Sequence, residues 1–275
     1  MFNLKKMIKK IIYILTFVMF LNNSAALAGS TGNEDLKKLN LDNTAKECFE
    51  GVSRAVFSFN YALDKAIFKP VAKGYRALPV PVRKGAGNFT SNLRSLLTIS
   101  NNILQGDFSR AGTTAARFGI NTTAGILGIF DPATKLGFKD QGREDFGQTL
   151  GAWGTKSGCY FVIPILGPTT ARDAVGLVGN VFIDPVYQIT HNHEIRNGIV
   201  GNGNYSEHNY YYYRATGAVD FRSKNIESFN SVEENSIDLY ASVKSLYIQN
   251  RNKGIANSEI GAQEDSDWEE IDTNQ

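Results

Sequence analysis

The histidines of this chain are the first residues to examine for catalysis or metal binding. The run His191-Asn192-His193-Glu194 could place two imidazoles beside a carboxylate, an arrangement that metal sites use. The run is polar and three glycines follow it closely, which is more typical of a surface loop. We therefore expect no metal site and no cofactor.

The motifs that identify the common enzyme classes are absent from the sequence. It contains no Gly-x-x-x-x-Gly-Lys-Ser/Thr phosphate loop, no paired cysteines of the zinc type and no Gly-x-Ser-x-Gly elbow. Its acidic residues are scattered, and one sequence cannot show whether two of them face each other for acid–base catalysis. With 29 basic and 27 acidic residues the formal charge is +2, too close to neutral for a typical nucleic-acid binder. We expect a protein that is not an enzyme.

The N-terminus has the pattern of an export signal. Lysines between Lys5 and Lys10 precede the apolar run Ile11–Leu21, and Ala26-Leu27-Ala28 offers small residues for cleavage. The alternative is an uncleaved membrane anchor. A helix of that apolar run would reach only about 16 Å, whereas the hydrocarbon core is about 30 Å thick. We predict a signal peptide over residues 1–28 and a polar, flexible tether over residues 29–43.

Two cysteines, Cys48 and Cys159, remain in the exported chain. An oxidising compartment would allow them to form a disulfide that closes a long loop. They could equally be two independent buried thiols. Their spacing leaves both possibilities open.

Apolar residues recur at helical spacing along most of the chain. Helices are predicted over Thr44–Lys69, around Val82–Leu97, after the N-cap Asp107, over Tyr210–Glu234 and over Ser236–Lys253. Strand-like alternation is scarce. The fold class is therefore mainly α, with one helical domain over residues 44–253 and an acidic, disordered tail over residues 254–275.

The stretch between Gly112 and Gly179 is rich in glycine. Glycine costs up to about 1 kcal/mol relative to alanine in a helix, so this enrichment needs a reason. The backbones could approach closely, the chain could bend sharply or hinge, or the domain could simply contain many tight turns. No run after the signal peptide is long enough to span a bilayer. The amphipathic helices either lie in a membrane surface or form an ordinary core.

A series of ordered segments resembles the MlaA (VacJ) family of bacterial outer-membrane phospholipid-transport lipoproteins. The similarity extends from Glu47 to about Ile255, and its most specific parts are Phe49-Glu50-Gly51, Phe57–Asn60 with Leu63-Asp64, Leu104-Gln105-Gly106, Gly125–Asp131, Asp145–Gly151, Pro164–Pro168 and Ser236-Ile237-Asp238.

The resemblance implies a ring-like domain whose amphipathic helices lie in the membrane plane around an amphipathic channel. Such proteins take mislocalised phospholipids from the outer leaflet and pass them to a periplasmic lipid carrier, with outer-membrane porins as partners. This activity maintains outer-membrane lipid asymmetry and involves no catalysis.

The same resemblance suggests roles for individual residues. Phe59 is a candidate gating aromatic and Arg214 a candidate head-group contact, although core packing and simple exposure are the alternatives. A hinge beside the channel is expected at Gly147, Gly151, Gly154 and Gly158.

Three positions depart from the family pattern. Ser30 stands where the lipidated cysteine would be, so no acylation is expected there. Cys48 and Cys159 lie where relatives commonly carry proline, which favours the disulfide, and Leu239 also replaces a proline.

The alternative function is a periplasmic structural or adaptor protein that binds envelope proteins without moving lipid. A lipid hydrolase lacks a credible nucleophile.

Overall fold

The computed structural model describes residues 45–192 and 208–256. The predicted signal peptide, the tether with Ser30, His193, Glu194 and the acidic tail beyond residue 256 lie outside the described residues. Within them the chain is mostly helical, which confirms the predicted class.

The first helical segment begins later than predicted. Strand β1 covers Lys46–Glu47, and helix α1 covers Glu50–Leu63. A π-helical turn, Asp64–Phe68, continues into helix α2, Lys69–Arg76. The start of the predicted helix is a strand because its backbone pairs with a distant segment. Asp64 accepts two hydrogen bonds of 2.8 Å from the Arg222 guanidinium, which fastens the π-helical turn to the C-terminal half of the chain.

Two long helices form the centre of the described structure. Helix α3 covers Val80–Gln105 and ends at Gly106, whose φ of 80° is left-handed. Helix α4 covers Phe108–Thr123, and the side chain of Asp107 accepts a hydrogen bond from the Arg110 amide. This contact confirms the N-cap that the sequence predicted.

The glycine-rich middle contains short helices and a small sheet. Helix α5 covers Pro132–Lys135 and helix α6 covers Phe146–Ala152. Strand β2, Cys159–Ile163, pairs in parallel with β1 and antiparallel with β3, Gly167–Thr170. The sheet order is β1-β2-β3. The residue pattern of the sequence did not predict these strands.

A disulfide joins the residue that directly follows β1 to the first residue of β2. Cys48 and Cys159 are bonded across a sequence separation of 111 residues, with a Cα–Cα distance of 5.5 Å. Of the two alternatives that the spacing left open, the structure has the disulfide.

Five helices complete the described chain. They are α7 (Ala171–Ile183), α8 (Pro185–His191), α9 (His208–Lys224), α10 (Ile226–Asn235) and α11 (Leu239–Ile255). The single helix predicted over Tyr210–Glu234 is wrong, because the chain breaks between α9 and α10 at Asn225.

A small apolar cluster packs around the sheet. It consists of Ala45, Tyr160, Val162 and Tyr240, with Val56 and Phe57 of α1 packed against it. The side chains of Tyr240 and Lys244 on α11 both contact the Glu47 carboxylate. The core therefore holds the first and last described segments together on the sheet.

Candidate functional site

The described residues show an inverted distribution of polar and apolar side chains. Ten apolar residues are buried, against twenty polar or charged ones, and thirty large apolar residues are exposed. Soluble proteins rarely expose contiguous apolar surface on this scale. Yet no described helix is both long and apolar enough to cross a bilayer. The exposed apolar surface is therefore the first feature that needs a functional explanation.

Much of this apolar surface lies along α1, the π-helical turn, α2 and the beginning of α3. Its exposed side chains are Phe49, Val52, Phe59, Ile67, Phe68, Val71, Leu78, Val80 and Val82. The first turns of α3 and Ile129 also line an open, almost purely apolar pocket of about 410 Å³. These surfaces could hold hydrocarbon but offer few polar groups.

Two loop tips present further aliphatic side chains on a left-handed backbone. Ile126 and Leu127 have φ values of 53° and 58°, and Ile165 has a φ of 68°. All three are exposed, at 59%, 61% and 64%. Left-handed φ is unusual for any residue other than glycine, and most of all for β-branched residues such as isoleucine, so it costs energy that the surroundings must balance. The second tip is held by Asn60, whose side chain donates to the Ile163 carbonyl and accepts from the Ile165 amide.

The polar interior contains an ionic network centred on Arg251 of α11. Its guanidinium donates to Asp145 at 2.6 and 2.9 Å and to Asp173 at 2.8 and 3.1 Å. Tyr247 also donates to Asp173, at 2.5 Å. Burial opposes ionisation of Asp173, but the charge and hydrogen bonds of Arg251 outweigh it and lower the Asp173 pKa to about 2. The network joins α6, α7 and α11.

The sequence-predicted hinge glycines Gly147 and Gly151 lie in α6, next to this network. A Cβ on Gly147 would lie 2.6 Å from Arg251 Nη2 and 2.7 Å from an Asp173 oxygen. On the facing helix, a Cβ on Gly176 would lie 2.5 Å from the Gly147 backbone. The absence of side chains thus lets α6 and α7 cross closely and lets Arg251 reach both carboxylates. Close backbone approach was one of the explanations that the sequence left open.

The other two hinge candidates follow α6. Gly154 and Gly158 have φ values of 87° and 69°, which favour glycine. Nothing lies within 4 Å of the position that a Gly154 Cβ would take. These residues form the turn that leads from α6 into β2. A hinge at this turn stays a prediction.

The two other residues singled out in the sequence lie on separate helices. Phe59 on α1 is 55% exposed, so it is not packed in the core. Arg214 on α9 is exposed, and its guanidinium lies 6.0 Å from the centre of the Tyr210 ring. No hydrogen bond, ion pair or ring contact joins Phe59 to Arg214 in the described structure. The roles suggested for both residues stay predictions.

Sequence reasoning missed Arg94, whose ionisation the charges of Arg143 and Arg214 influence. Arg94 of α3 is partly buried, and its Nε is shielded from solvent without a hydrogen-bond acceptor. Burial lowers the pKa of Arg94, and the positive charges of Arg143 and Arg214 lower it further.

Glu144 lies between Arg143 and Asp145 in the sequence and is only 3% exposed. Its carboxylate accepts a 3.1 Å hydrogen bond from Gln105 and lies 3.7 Å from Arg110. Burial raises its pKa from 4.5 to about 7, against the opposing effects of Gln105 and Arg110. The buried carboxyl therefore favours its neutral form below about pH 7.

We expect Glu144→Gln to stabilise the protein at neutral and alkaline pH. Because folding raises this pKa, the protonated carboxyl favours the folded state. The free energy of unfolding is therefore highest below pH 4.5 and falls as the pH rises through 7. A glutamine avoids this loss, so the free energy of unfolding should rise by about 2–3 kcal/mol at about pH 8 and change little at about pH 4. Denaturant unfolding at both pH values measures the difference. The exposed Glu234→Gln variant is the control, and equal pH profiles of E144Q and wild type would contradict the prediction.

The described residues contain no cluster of three His, Cys, Asp or Glu side chains that could hold a metal ion. His191 instead stacks on Tyr187 at 3.9 Å and lies edge-on to Tyr210 and Tyr211. Its Nδ1 contacts the Thr190 hydroxyl at 2.9 Å. The described half of the histidine run is thus part of an aromatic cluster.

Comparisons with known proteins agree on one family. The sequence profile described as "MlaA lipoprotein" matches residues 45–254. The chain is 29% identical to "Intermembrane phospholipid transport system lipoprotein MlaA" of Haemophilus influenzae, over 86% of this chain and 88% of that protein. It is 33% identical to an uncharacterized protein of Rickettsia bellii, over 75% of this chain and 76% of the relative.

A shorter match and a solved structure complete the comparison. An uncharacterized protein of Rickettsia prowazekii is 41% identical over 52% of this chain, and the match spans only 58% of that relative. A solved structure from work on the "Structural basis for maintenance of bacterial outer membrane lipid asymmetry" has a TM-score of 0.63 and 28% sequence identity. The similarity covers 76% of this chain and 99% of the solved chain.

Proposed function

The chain belongs to the MlaA lipoprotein family, and from this premise we propose that it is the outer-membrane component of an intermembrane phospholipid transport system. In this proposal the protein removes mislocalised phospholipids from the outer leaflet through an amphipathic channel. It passes them to a periplasmic carrier and thereby maintains lipid asymmetry. Outer-membrane porins are its proposed partners in the membrane, and no reaction is catalysed.

The inverted burial of side chains is the observation that carries this proposal. Large apolar side chains are exposed on α1, α2, α3 and α7, while the interior is rich in Thr, Asn, Asp and Ser. Acyl chains would cover the outside, because an exposed apolar surface gains about 25 cal/mol per Å² on leaving water. A polar interior would satisfy a head group that hydrocarbon alone could not solvate.

Attachment to the membrane is proposed to rest on these embedded helices. Ser30 cannot form the thioether of a lipoprotein, and the predicted signal peptide would place the chain in the periplasm at the inner face of the outer membrane. Helices that lie in an interface bind through their buried apolar area. The proposed localisation therefore needs no acyl chain.

Membrane fractionation tests the proposal directly. We expect the full chain to stay with membranes through a high-salt wash, to need detergent for extraction and to co-purify with phospholipid. A protein that salt releases and that carries no lipid would instead support the periplasmic adaptor. Mass spectrometry of the N-terminus would show whether cleavage and acylation have occurred.

Within this function, we expect the turn from α6 to β2 to act as the hinge and Phe59 to face the lipid path. Proline at residue 154 cannot adopt the φ of 87°, so Gly154→Ala is the milder test. It should slow lipid passage in proteoliposomes and leave the far-ultraviolet circular dichroism unchanged. Unchanged passage by a folded G154A variant would reject the hinge.

A further inference from the structure

The segment that runs from the π-helical turn through α2 into the first turns of α3 combines basic and exposed apolar side chains. Residues 65–84 contain six Lys or Arg and no Asp or Glu. The same residues carry six large apolar side chains that are between 39% and 54% exposed, namely Ile67, Phe68, Val71, Leu78, Val80 and Val82. We call residues 65–84 the basic segment.

Hydrogen bonds fix the turn at which α2 and α3 meet within the basic segment. The Tyr75 hydroxyl donates to the Arg83 carbonyl at 3.3 Å, and Arg83 Nε donates to the Leu78 carbonyl at 3.1 Å. The Leu78 amide in turn donates to the Tyr75 carbonyl at 3.1 Å. The end of α2 and the beginning of α3 are therefore held together as one corner.

The acidic side chains beside the basic segment already have basic partners. They belong to the residue before it, to α9 and to α10, and their ion pairs are Arg222–Asp64, Lys224–Asp220, Arg76–Glu227 and Lys65–Glu233. Four basic residues of the segment form no ion pair with the described residues, namely Lys69, Lys73, Arg83 and Lys84. Lys73 and Lys84 are exposed. The basic segment thus has an excess of positive charge at its surface.

The apolar side chains of the basic segment lead into the open pocket at the beginning of α3. Val82 belongs to both, and the rest of the lining is Pro81, Gly85, Ala86, Phe89 and Ile129. The pocket volume of about 410 Å³ falls within the range of about 300–1,000 Å³ that is typical of ligand sites. Because its lining is almost purely apolar, hydrocarbon is the chemistry that it fits.

Exposed apolar side chains interspersed with unpaired lysines match the surface of an anionic bilayer. The apolar groups leave water among the acyl chains, and lysine stems lie along apolar surface while their ammonium groups reach the phosphates. Anionic head groups attract Lys and Arg that lie near the membrane surface. A second copy of the chain fits less well, because a two-fold contact would bring two basic segments against each other.

We propose that the basic segment docks on a bilayer surface that contains anionic phospholipids. In this arrangement Val71 and Val82 lie among the acyl chains, and Lys73 and Lys84 contact the phosphates. The inference rests on the proposed function and deepens it, since it assigns recognition of lipid charge to one segment of the chain.

Flotation with vesicles tests this assignment. The full chain is purified in detergent, diluted below the critical micelle concentration and mixed with vesicles of phosphatidylcholine alone or of equal amounts of phosphatidylcholine and phosphatidylglycerol. Wild type should bind the anionic vesicles more than about tenfold better than the neutral ones. Salt at about 1 M should remove most of this preference and leave the binding to neutral vesicles unchanged.

Substitutions within the basic segment separate its charge from its apolar surface. Lys73→Gln and Lys84→Gln should each lower binding to the anionic vesicles about fivefold and leave binding to the neutral vesicles unchanged. Lys139→Gln and Lys156→Gln, which change exposed lysines outside the segment, are the matched controls and should keep the wild-type preference. Val71→Ser combined with Val82→Ser should weaken binding to both kinds of vesicle alike. Circular dichroism checks that each variant is folded.

The outcomes distinguish this inference from the function on which it rests. Equal binding of wild type to both kinds of vesicle, or an unchanged preference in K73Q and K84Q, would overturn the basic segment as the lipid-charge site while leaving lipid transport in place. Equal losses in K139Q and K156Q would also overturn it, because net charge would then decide. Self-association that K73Q and K84Q abolish would overturn the bilayer as the occupant in favour of a second copy. Wild type that binds neither kind of vesicle and carries no lipid would overturn the proposed function itself.

Discussion

A variant in which Cys48 and Cys159 are both serine is expected to lose about 2–5 kcal/mol of its free energy of unfolding. The disulfide closes a loop of 111 residues that includes α1 through α6. Without this cross-link the unfolded chain gains entropy, and the gain grows with loop length. Denaturant unfolding of the oxidised wild type and of the double variant measures the difference.

Reduction provides the matched control for this prediction. Dithiothreitol should lower the stability of wild type to that of the double-serine variant and should leave the variant unchanged. Strand β1 has only two residues, Lys46 and Glu47, so its pairing with β2 depends strongly on the adjacent bond at Cys48. Equal unfolding curves of oxidised wild type and variant would show that the disulfide is energetically neutral.

Local signals in the sequence predicted the helices better than they predicted the sheet. The cap at Asp107 and the apolar period of α3 are encoded within a few neighbouring residues, so their prediction needed no tertiary information. Strand β1 pairs with a segment more than a hundred residues away, and its two residues carry no period of their own. The break at Asn225 was missed because apolar residues continue at helical spacing on both sides of it.

The apolar stripe of α1 shows why periodicity could not decide between core and membrane. Val56 packs against the buried cluster around Tyr160. Val52 and Phe59, from the same stripe, are 65% and 55% exposed. Helical spacing gives the face of a residue but not what covers that face.

The ionic network around Arg251 was beyond sequence reasoning for a related reason. Arg251 is 106 positions from Asp145 and 78 positions from Asp173 in the sequence, and each of the three alone resembles a solvated residue. Only the packing of α6, α7 and α11 shows that they lie together. Charge pairing is a tertiary property, so buried and solvated ion pairs look alike in the sequence.

Replacement of Arg251 by methionine is expected to lower the free energy of unfolding by about 3–5 kcal/mol at neutral pH. The variant leaves Asp145 and Asp173 without the cation that both carboxylates share. Both acids are poorly accessible to solvent, so removal of their partner leaves uncompensated buried charge. Unfolding by denaturant at neutral pH measures the loss, and circular dichroism shows whether the variant still folds.

The pH dependence of this loss separates charge from packing. The pKa of Asp173 is lowered from 3.8 to about 2 in the folded protein. The contribution of ionised Asp173 to the free energy of unfolding is therefore present above about pH 4 and disappears as the pH falls towards 2. The difference in free energy of unfolding between wild type and R251M should narrow over that range, whereas a pure packing defect would give a constant difference.

Arg54→Met is the matched control, because Arg54 also bridges two carboxylates, Glu50 and Asp238, but at an exposed position. Water screens that exposed bridge, so R54M should lose much less stability than R251M. Equal losses in the two variants would show that burial is not what makes the Arg251 network stabilising.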